Sequence, residues 1–461
     1  MMGRRTTGQG QLFYAFALDE VVPSDHLVRK IDAVLDLSWV HDELAPYYSQ
    51  TGRPSIDPEL MLRMLILGYV FAIRSERQLC AEVQVNLAYR WFCRLTIEEA
   101  IPNHSVFSRA RHERFRESDL LRSVFERIVA DSIAAGLVSA DGFSIDASLI
   151  AADVNKKKHV SSETAEWPDP VQASRAVREY IAVIDAAANQ QGERKSGGGS
   201  HGGETRKVIS ETDPQATWTA RKGIDTTFYY DANYLIDNRH GIIVDAEGTR
   251  ANRREETAIA ETMIARVMSR LGVKPHRLAG DTAYGTGRLL KWLVERGITP
   301  HVPVWDKSTR KDGKFSKADF TYDRERNVYI CPAGRELTHS GVVDQGRILP
   351  YRASAFYCAR CDLKPRCTTA ASRKISRDID EDVRDYVRSL DGTEAFEQSR
   401  VERKKVEMRF AHMKRIHKLD RLRLRGLTGA KDEVLLTALA QNLKRLATLT
   451  WQPMEPTLRA A

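Results

Sequence analysis

Phe143-Ser144-Ile145-Asp146-Ala147-Ser148 is where this chain changes its period. Apolar and polar side chains alternate one by one, the pattern of a half-buried β-strand, and Asp141-Gly142 just before supplies a turn. Everything upstream, to about residue 135, carries helical spacing. Everything downstream mixes strands with helices. The strand is expected to end with Asp146 at its carboxyl side, and the fold class read from this switch is α/β with a mixed sheet.

Upstream, Asp57-Pro58 is a cap and first-turn pair that opens a helix over 60–72 apolar enough to be buried on most sides. A second helix is predicted over 76–92. Pro102-Asn103-His104-Ser105 then caps a third over 106–115, which carries Arg109, Arg111, Arg114 and Arg116. A basic helix after such a turn fits a helix-turn-helix DNA reader, and it equally fits an ordinary bundle.

Downstream, strands over 226–236 and 241–248 are joined by the turn Asp237-Asn238-Arg239-His240. A helix over 255–271 leads to Gly280-Asp281-Thr282-Ala283-Tyr284, a glycine-containing loop after a short strand. Ligands in open α/β sheets gather beyond such strand ends, where Asp281 falls. One more strand is read at 298–304. The run Ser196-Gly197-Gly198-Gly199-Ser200-His201-Gly202-Gly203 marks a flexible linker at about 190–216.

Near the carboxyl end, Arg403-Lys404-Lys405-Val406-Glu407-Met408-Arg409-Phe410-Ala411-His412-Met413-Lys414 reads as one charged helix. Helical spacing puts Arg403, Glu407 and Lys414 near one face, with Val406, Phe410 and Met413 as an adjacent apolar stripe. Residues 400–425 hold eleven Lys or Arg against three acids, a bias that attracts a polyanion.

Composition bounds the rest. At 461 residues the chain exceeds one hydrophobic core, so two or three domains are expected. A net charge of +9 suggests an anionic partner, nucleic acid before membrane. The apolar run at 64–73 is bracketed by Arg63 and Arg74 and falls short of the roughly 20 residues of a membrane span. Met1 to Gln9 shows no apolar signal-peptide core, so a cytoplasmic, nucleoid-associated protein without membrane contact is expected. In that compartment the six cysteines are thiols or metal ligands. Cys80 and Cys93 sit among apolar residues and read as core. Cys358-x2-Cys361-x5-Cys367, with Cys331 upstream, supplies the four thiolates of a closed structural Zn2+ site, or four reduced cysteines in a small core. Tyr229, Tyr230, Trp218 and Trp305 could stack on unpaired bases, but aromatics in strands are more often core, and no function is assigned to them.

Asp146, Asp281 and Glu407 are three acids that only a fold can gather, and gathered they offer oxygen ligands to hard cations. Two Mg2+ ions about 4 Å apart would serve an in-line phosphoryl displacement. Asp141 and Glu402 compete for these roles; helical phase, with the Arg and Lys offsets of the family signature quoted next, favours Glu407.

The strand ending Ile145-Asp146-Ala147-Ser148, the Gly280–Tyr284 loop and Arg403-x3-Glu407-x6-Lys414 resemble the DDE transposases of bacterial insertion sequences. The last resembles the Tyr-x2-Arg-x3-Glu-x6-Lys signature of one large branch, with Arg400 standing where that signature has Tyr. Gly52-Arg53-Pro54 and Pro102-Asn103-His104-Ser105 also look like this branch. The resemblance implies a ribonuclease-H-like core, with a helical amino-terminal domain and a Cys-containing insertion before the last catalytic helix. It implies Asp146, Asp281 and Glu407 as catalytic ligands of Mg2+ or Mn2+, and double-stranded DNA as partner, both element terminal inverted repeats and target. Arg403, Lys414, Arg409, Arg109 and Arg111 are the candidate DNA contacts. The activity implied is hydrolysis at element ends, freeing a 3′-hydroxyl that attacks target DNA, by a homo-oligomer that holds two ends. Two other readings stay open: a catalytically retired DNA-binding descendant, and a nuclease without strand transfer. The expected domains are 1–135, helical, for DNA binding and assembly; 136–305, the first part of the core; 306–375, the Cys-rich insertion; and 376–461, the carboxyl-terminal helices of the core.

Overall fold

The computed structural model describes residues 16–451 apart from 50, 52–54, 162–164, 193–207, 220–222, 224, 305–312, 340 and 342–346. The amino-terminal nonapeptide, Gly52-Arg53-Pro54, the glycine-rich part of the linker and Trp305 lie outside the described residues. The chain forms two compact units, one from residues up to Leu137 together with those from Ala411 onward, the other Val138–Phe410.

The first unit is helical. Asp57 accepts a hydrogen bond from the Glu59 amide (2.7 Å) and Pro58 occupies the first turn, so the helix Pro58–Val70 starts where its free amides are satisfied. Leu62, Met64 and Ile66 are at most 1% exposed, so opposite sides of this helix are covered. The helix expected over 76–92 is two, Glu76–Val85 and Leu87–Phe92. Asn86 adopts an extended conformation that ends the first, and its side chain caps the amides of Ala88 and Tyr89 to begin the second. Asn103 caps the helix His104–His112, which stops short of Phe115 because Glu113 leaves helical geometry.

The carboxyl-terminal helix Gly426–Thr450 packs against Leu120–Ala134, Pro58–Val70 and Leu27–Asp32. This corrects the expectation that 376–461 belongs wholly with the sheet. The reason is the apolar surface of that helix: Ala430, Val434, Leu436, Leu439, Leu443 and Leu446 are all buried, and the unit's other helices supply the matching faces.

The second unit is built on a mixed sheet. Its strands are β1 (Phe143–Ala151), β4 (Thr217–Thr219), β5 (Thr227–Asp237), β6 (Ile243–Arg250), β7 (Arg277–Ala279) and β8 (Thr299–His301); β2 (His159–Val160) and β3 (Ile209–Ser210) form a separate pair. The order is β4-β5-β1-β7-β8, with β6 also on β5. β5 runs antiparallel to both β1 and β6, whereas β1, β7 and β8 are parallel. β5 is buried along nearly its whole length, Tyr229 and Tyr230 included, so these aromatics are core. The helix Arg253–Arg270 packs against β6 and β5.

A second sheet lies between β8 and the later helices in sequence. It comprises β9 (Thr321–Asp323), β10 (Val328–Ile330), β11 (Glu336–His339), β12 (Ile348–Ala353) and β13 (Lys374–Asp378), all paired antiparallel in the order β13-β12-β11-β10-β9. Its own core is Phe320, Tyr329, Leu337, Tyr351, Ala353 and Ile375. The block therefore runs on to Asp378, past the expected limit of 375, because β13 completes the sheet.

Candidate active site

Asp146 is the fourth residue of β1, inside the strand rather than at its carboxyl end, which corrects the expected placement. Its antiparallel partner is Tyr234 on β5, so the two side chains share one face of the sheet. Phe410 stacks on Tyr234, with ring centroids 4.9 Å apart and planes 10° from parallel. That stacking lays the helix Lys404–Arg415 over the face that carries Asp146.

Asp281 arrives from the other side. β1 and β7 pair in parallel with Ser144 opposite Ala279, and two residues further along each chain stand Asp146 and Asp281. The strand β7 has ended by then, and Asp281 caps the turn Thr282–Tyr284, its Oδ1 accepting from the Ala283 amide at 2.8 Å. Two carboxylates thus emerge from neighbouring strands.

The Asp146 carboxyl is 17% exposed. Burial pushes its pKa up, the Arg403 guanidinium and the Ala147 amide oppose that, and the like charge of Asp281 pushes it up again. Oδ1 accepts from the Ala147 amide at 2.8 Å, and Oδ2 lies 3.5 Å from Arg403 Nη2. Arg403 is the hinge between the helices Glu394–Glu402 and Lys404–Arg415, so the single helix expected from 403 onward begins one residue later.

Glu407 lies one turn beyond Arg403 on this helix, exposed, and its carboxylate makes no hydrogen bond or ion pair with a described residue. Glu402, its competitor, is engaged by Arg277 Nη2 (3.0 Å) and Gln398 Nε2 (2.9 Å). Asp141 belongs elsewhere too, in a cavity of about 630 Å3 beyond the amino end of β1 that Glu402, Arg277 and Lys405 also line. Among the described residues, no three His, Cys, Asp or Glu side chains stand ready as a metal-holding group. Asp146, Asp281 and Arg403 are brought together; the Glu407 carboxylate is on the covering helix but not closed upon them.

The basic candidates separate. Arg409 sets its guanidinium against Gly241, where an added Cβ would meet Nη2 at 2.8 Å, and so ties the helix to the β5–β6 turn. Lys414 is half-buried on the same helix, and Arg109 is exposed on His104–His112. Arg111 is not at the surface: it is 4% exposed and paired with Glu76, a structural ion pair rather than a DNA contact. Cys93 is buried, its thiol pushed up to about 12 by that burial, while Cys331, Cys358, Cys361 and Cys367 line one small cavity of the second sheet.

Sequence reasoning overlooked one further acidic pair. Asp245 and Glu247 on β6 are spaced to share a sheet face, and Arg266 bridges them at 2.8 and 2.9 Å. Their spacing was the available signal, and the bound guanidinium makes them a packing device instead of a metal site.

Residues 16–113 match a family described as a transposase domain (DUF772), and residues 330–447 match one described as a transposase DDE domain. The chain is a DDE transposase. The second match spans Arg403, Glu407, Arg409, Lys414 and the four clustered cysteines. DNA cleavage and strand transfer are the general activity of such transposases, and their DDE domains generally use divalent metal ions. No curated protein matches. A solved structure, the piggyBac transposase synaptic complex with hairpin DNA, is 9% identical over 92% of this chain and 75% of that one. Its TM-score is 0.32. Among the described residues no helix of the transposase is long and apolar enough to cross a membrane.

Proposed function

We propose that this transposase cleaves the ends of a bacterial insertion sequence and joins them to target DNA with Asp146, Asp281 and Glu407 as its catalytic carboxylates. The observation that carries the reading is the parallel register that delivers Asp146 and Asp281 side by side beneath the helix bearing Glu407. The central position of β1, between an antiparallel β5 and a parallel β7, supports a ribonuclease-H-like core, and the second sheet fits as its insertion.

The donor set suits hard divalent cations: Asp146 and Asp281 are close enough that the charge of Asp281 helps push the Asp146 pKa up, and Glu407 is exposed with no hydrogen bond or ion pair to a described residue. Mg2+ or Mn2+ bound there would supply charge stabilisation to the attacking and leaving oxygens of the phosphodiester. The chain's own residues do the positioning. Asp146 is held by the Ala147 amide and steadied by Arg403; Asp281 is fixed by its turn; Arg403 is placed to exchange the Asp146 carboxylate for a DNA phosphate when cations neutralise the acids. Lys414, Arg409 and the exposed Arg109 are further candidate contacts for the duplex. Because two element ends must be joined, the working form is a homo-oligomer on DNA, acting at the nucleoid.

The test is excision in cells of a marker flanked by the DNA that borders the gene. The wild type should excise it and Asp281→Asn should not, while both retain the flanks in a gel shift. Excision by Asp281→Asn at the wild-type level would remove Asp281 from the site.

A further inference from the structure

The second sheet is small for a self-standing fold. Five short strands enclose six core residues, and Cys331, Cys358 and Cys367 pack at the margin of that core. Folds with so little apolar burial generally need a staple, either a disulfide or a metal. All four cysteines are free thiols. They come from three separate places: the turn after β10, the short helix after β12, and the helix Lys364–Cys367.

Those three segments converge. Cys331, Cys358, Cys361 and Cys367 all line one cavity of about 40 Å3, enough for a single ion and too little for an organic ligand. The backbone after Cys331 turns back on it and presents an amide to its sulfur. Gly334, at φ +73°, turns the chain so that its amide donates to the Cys331 carbonyl at 2.8 Å, and the next amide, that of Arg335, points at Cys331 Sγ from 3.4 Å. On the facing segment, Cys358 and Cys361 are joined by a tight turn in which the Cys361 amide donates to the Cys358 carbonyl at 3.4 Å. Arg335, Lys364 and Arg373 are also in the lining, cations that would offset the double negative charge of a metal held by four thiolates.

We propose that Cys331, Cys358, Cys361 and Cys367 bind one Zn2+ ion in a closed tetrathiolate site that fastens the five-stranded sheet. Zn2+ is the commonest partner of such a soft, four-sulfur set, and with every position taken by sulfur the role is structural. The sulfurs do not already stand as a coordination set, so binding requires side-chain rotation of the four half-buried cysteines. Each thiol gives up its proton as it binds: four S–H bonds break, four Zn–S bonds form, and four protons pass to solvent. The site is independent of the carboxylate centre.

The experiment uses the full chain, purified from zinc-supplemented cells under reducing conditions and without a metal-binding tag. Elemental analysis should find one zinc per chain in the wild type, in Cys80→Ser and in Asp281→Asn, and a large loss in Cys361→Ser. Exchange of the wild type with Co2+ should give the sulfur-to-cobalt charge-transfer and visible d–d bands of a tetrahedral thiolate site, which decides the question even if Cys361→Ser fails to fold. Wild-type protein without zinc and without those cobalt bands would overturn the proposal. So would zinc that survives Cys361→Ser undiminished but disappears in Asp281→Asn, since the metal would then lie on the carboxylates.

Discussion

Asp146, in the proposed site, would be a side chain costly to the fold and necessary to the chemistry. Its folded pKa lies above that of an unfolded Asp, about 3.9, because burial disfavours the charge and Asp281 repels it. A raised folded pKa means that the carboxyl's contribution to stability is complete below about pH 3.9 and is lost as pH rises through the folded value. Ionising this carboxyl in the fold therefore costs stability, a cost that Arg403 partly relieves and that a cation bound in the proposed site would relieve further. Asp146→Asn should leave the melting temperature of the metal-free protein unchanged or slightly raised. The same variant should lose most of the rise in melting temperature that Mn2+ produces in the wild type. Equal stabilisation of both proteins by Mn2+, followed by differential scanning fluorimetry, would separate Asp146 from the metal.

Among the elements, the helix Glu381–Leu390 is held by a charge cluster that the sequence alone does not advertise. Glu381 is 1% exposed, yet Lys317 (3.0 Å), Arg384 (2.7 Å) and Arg388 (2.8 Å) all reach its carboxylate. Burial would raise its pKa, but the Arg388 hydrogen bond and the Lys317 and Arg384 charges carry it down to about 2. A depressed folded pKa contributes stability above the unfolded value of about 4.3, and that contribution is lost as pH falls toward 2. Amide hydrogen exchange across Glu381–Leu390 should accelerate between about pH 4.3 and pH 2, after correction for the intrinsic rate, by an amount that Glu381→Gln abolishes. The variant should already be destabilised at pH 7 by about 2 kcal/mol, because three cations lose their common partner. An unchanged exchange profile in Glu381→Gln would show that the cluster is incidental.

On the scale of the molecule, the two ends of the chain make one helical unit. Glu433, from the last helix, is 1% exposed, accepts from the Arg423 and Leu424 amides at 2.6 Å each, and pairs with Arg74 from the amino-terminal half. Leu439 is buried on the same helix. Residues 1–137 expressed alone should therefore lack a closed core and show little cooperative unfolding by circular dichroism. Co-expression with 411–461 should restore it, and Leu439→Ala in the full chain should cost about 2–5 kcal/mol. Cooperative folding of 1–137 by itself would show that the last helix is an accessory.

Much of this was legible in the residues. Period and turn chemistry placed Pro58–Val70, the β5–β6 hairpin and the Asp281 loop, because alternation and capping are local properties of a dozen residues. The spacing of Arg403, Glu407 and Lys414, and the four thiols beyond residue 330, were equally open to reading. What lay beyond reach depended on contacts between distant segments. Nothing in the spacing of Arg111 shows that Glu76 neutralises it, and nothing near residue 439 shows that it closes a core begun at residue 27. That Glu402 is engaged by a guanidinium depends on Arg277, which the fold brings to it from far away in sequence. The sequence by itself determined the elements and the inventory of chemical groups. Tertiary structure decided which of those groups are neutralised by a partner and which are left with charge to spend, since a carboxylate's chemistry is set by its neighbours in space.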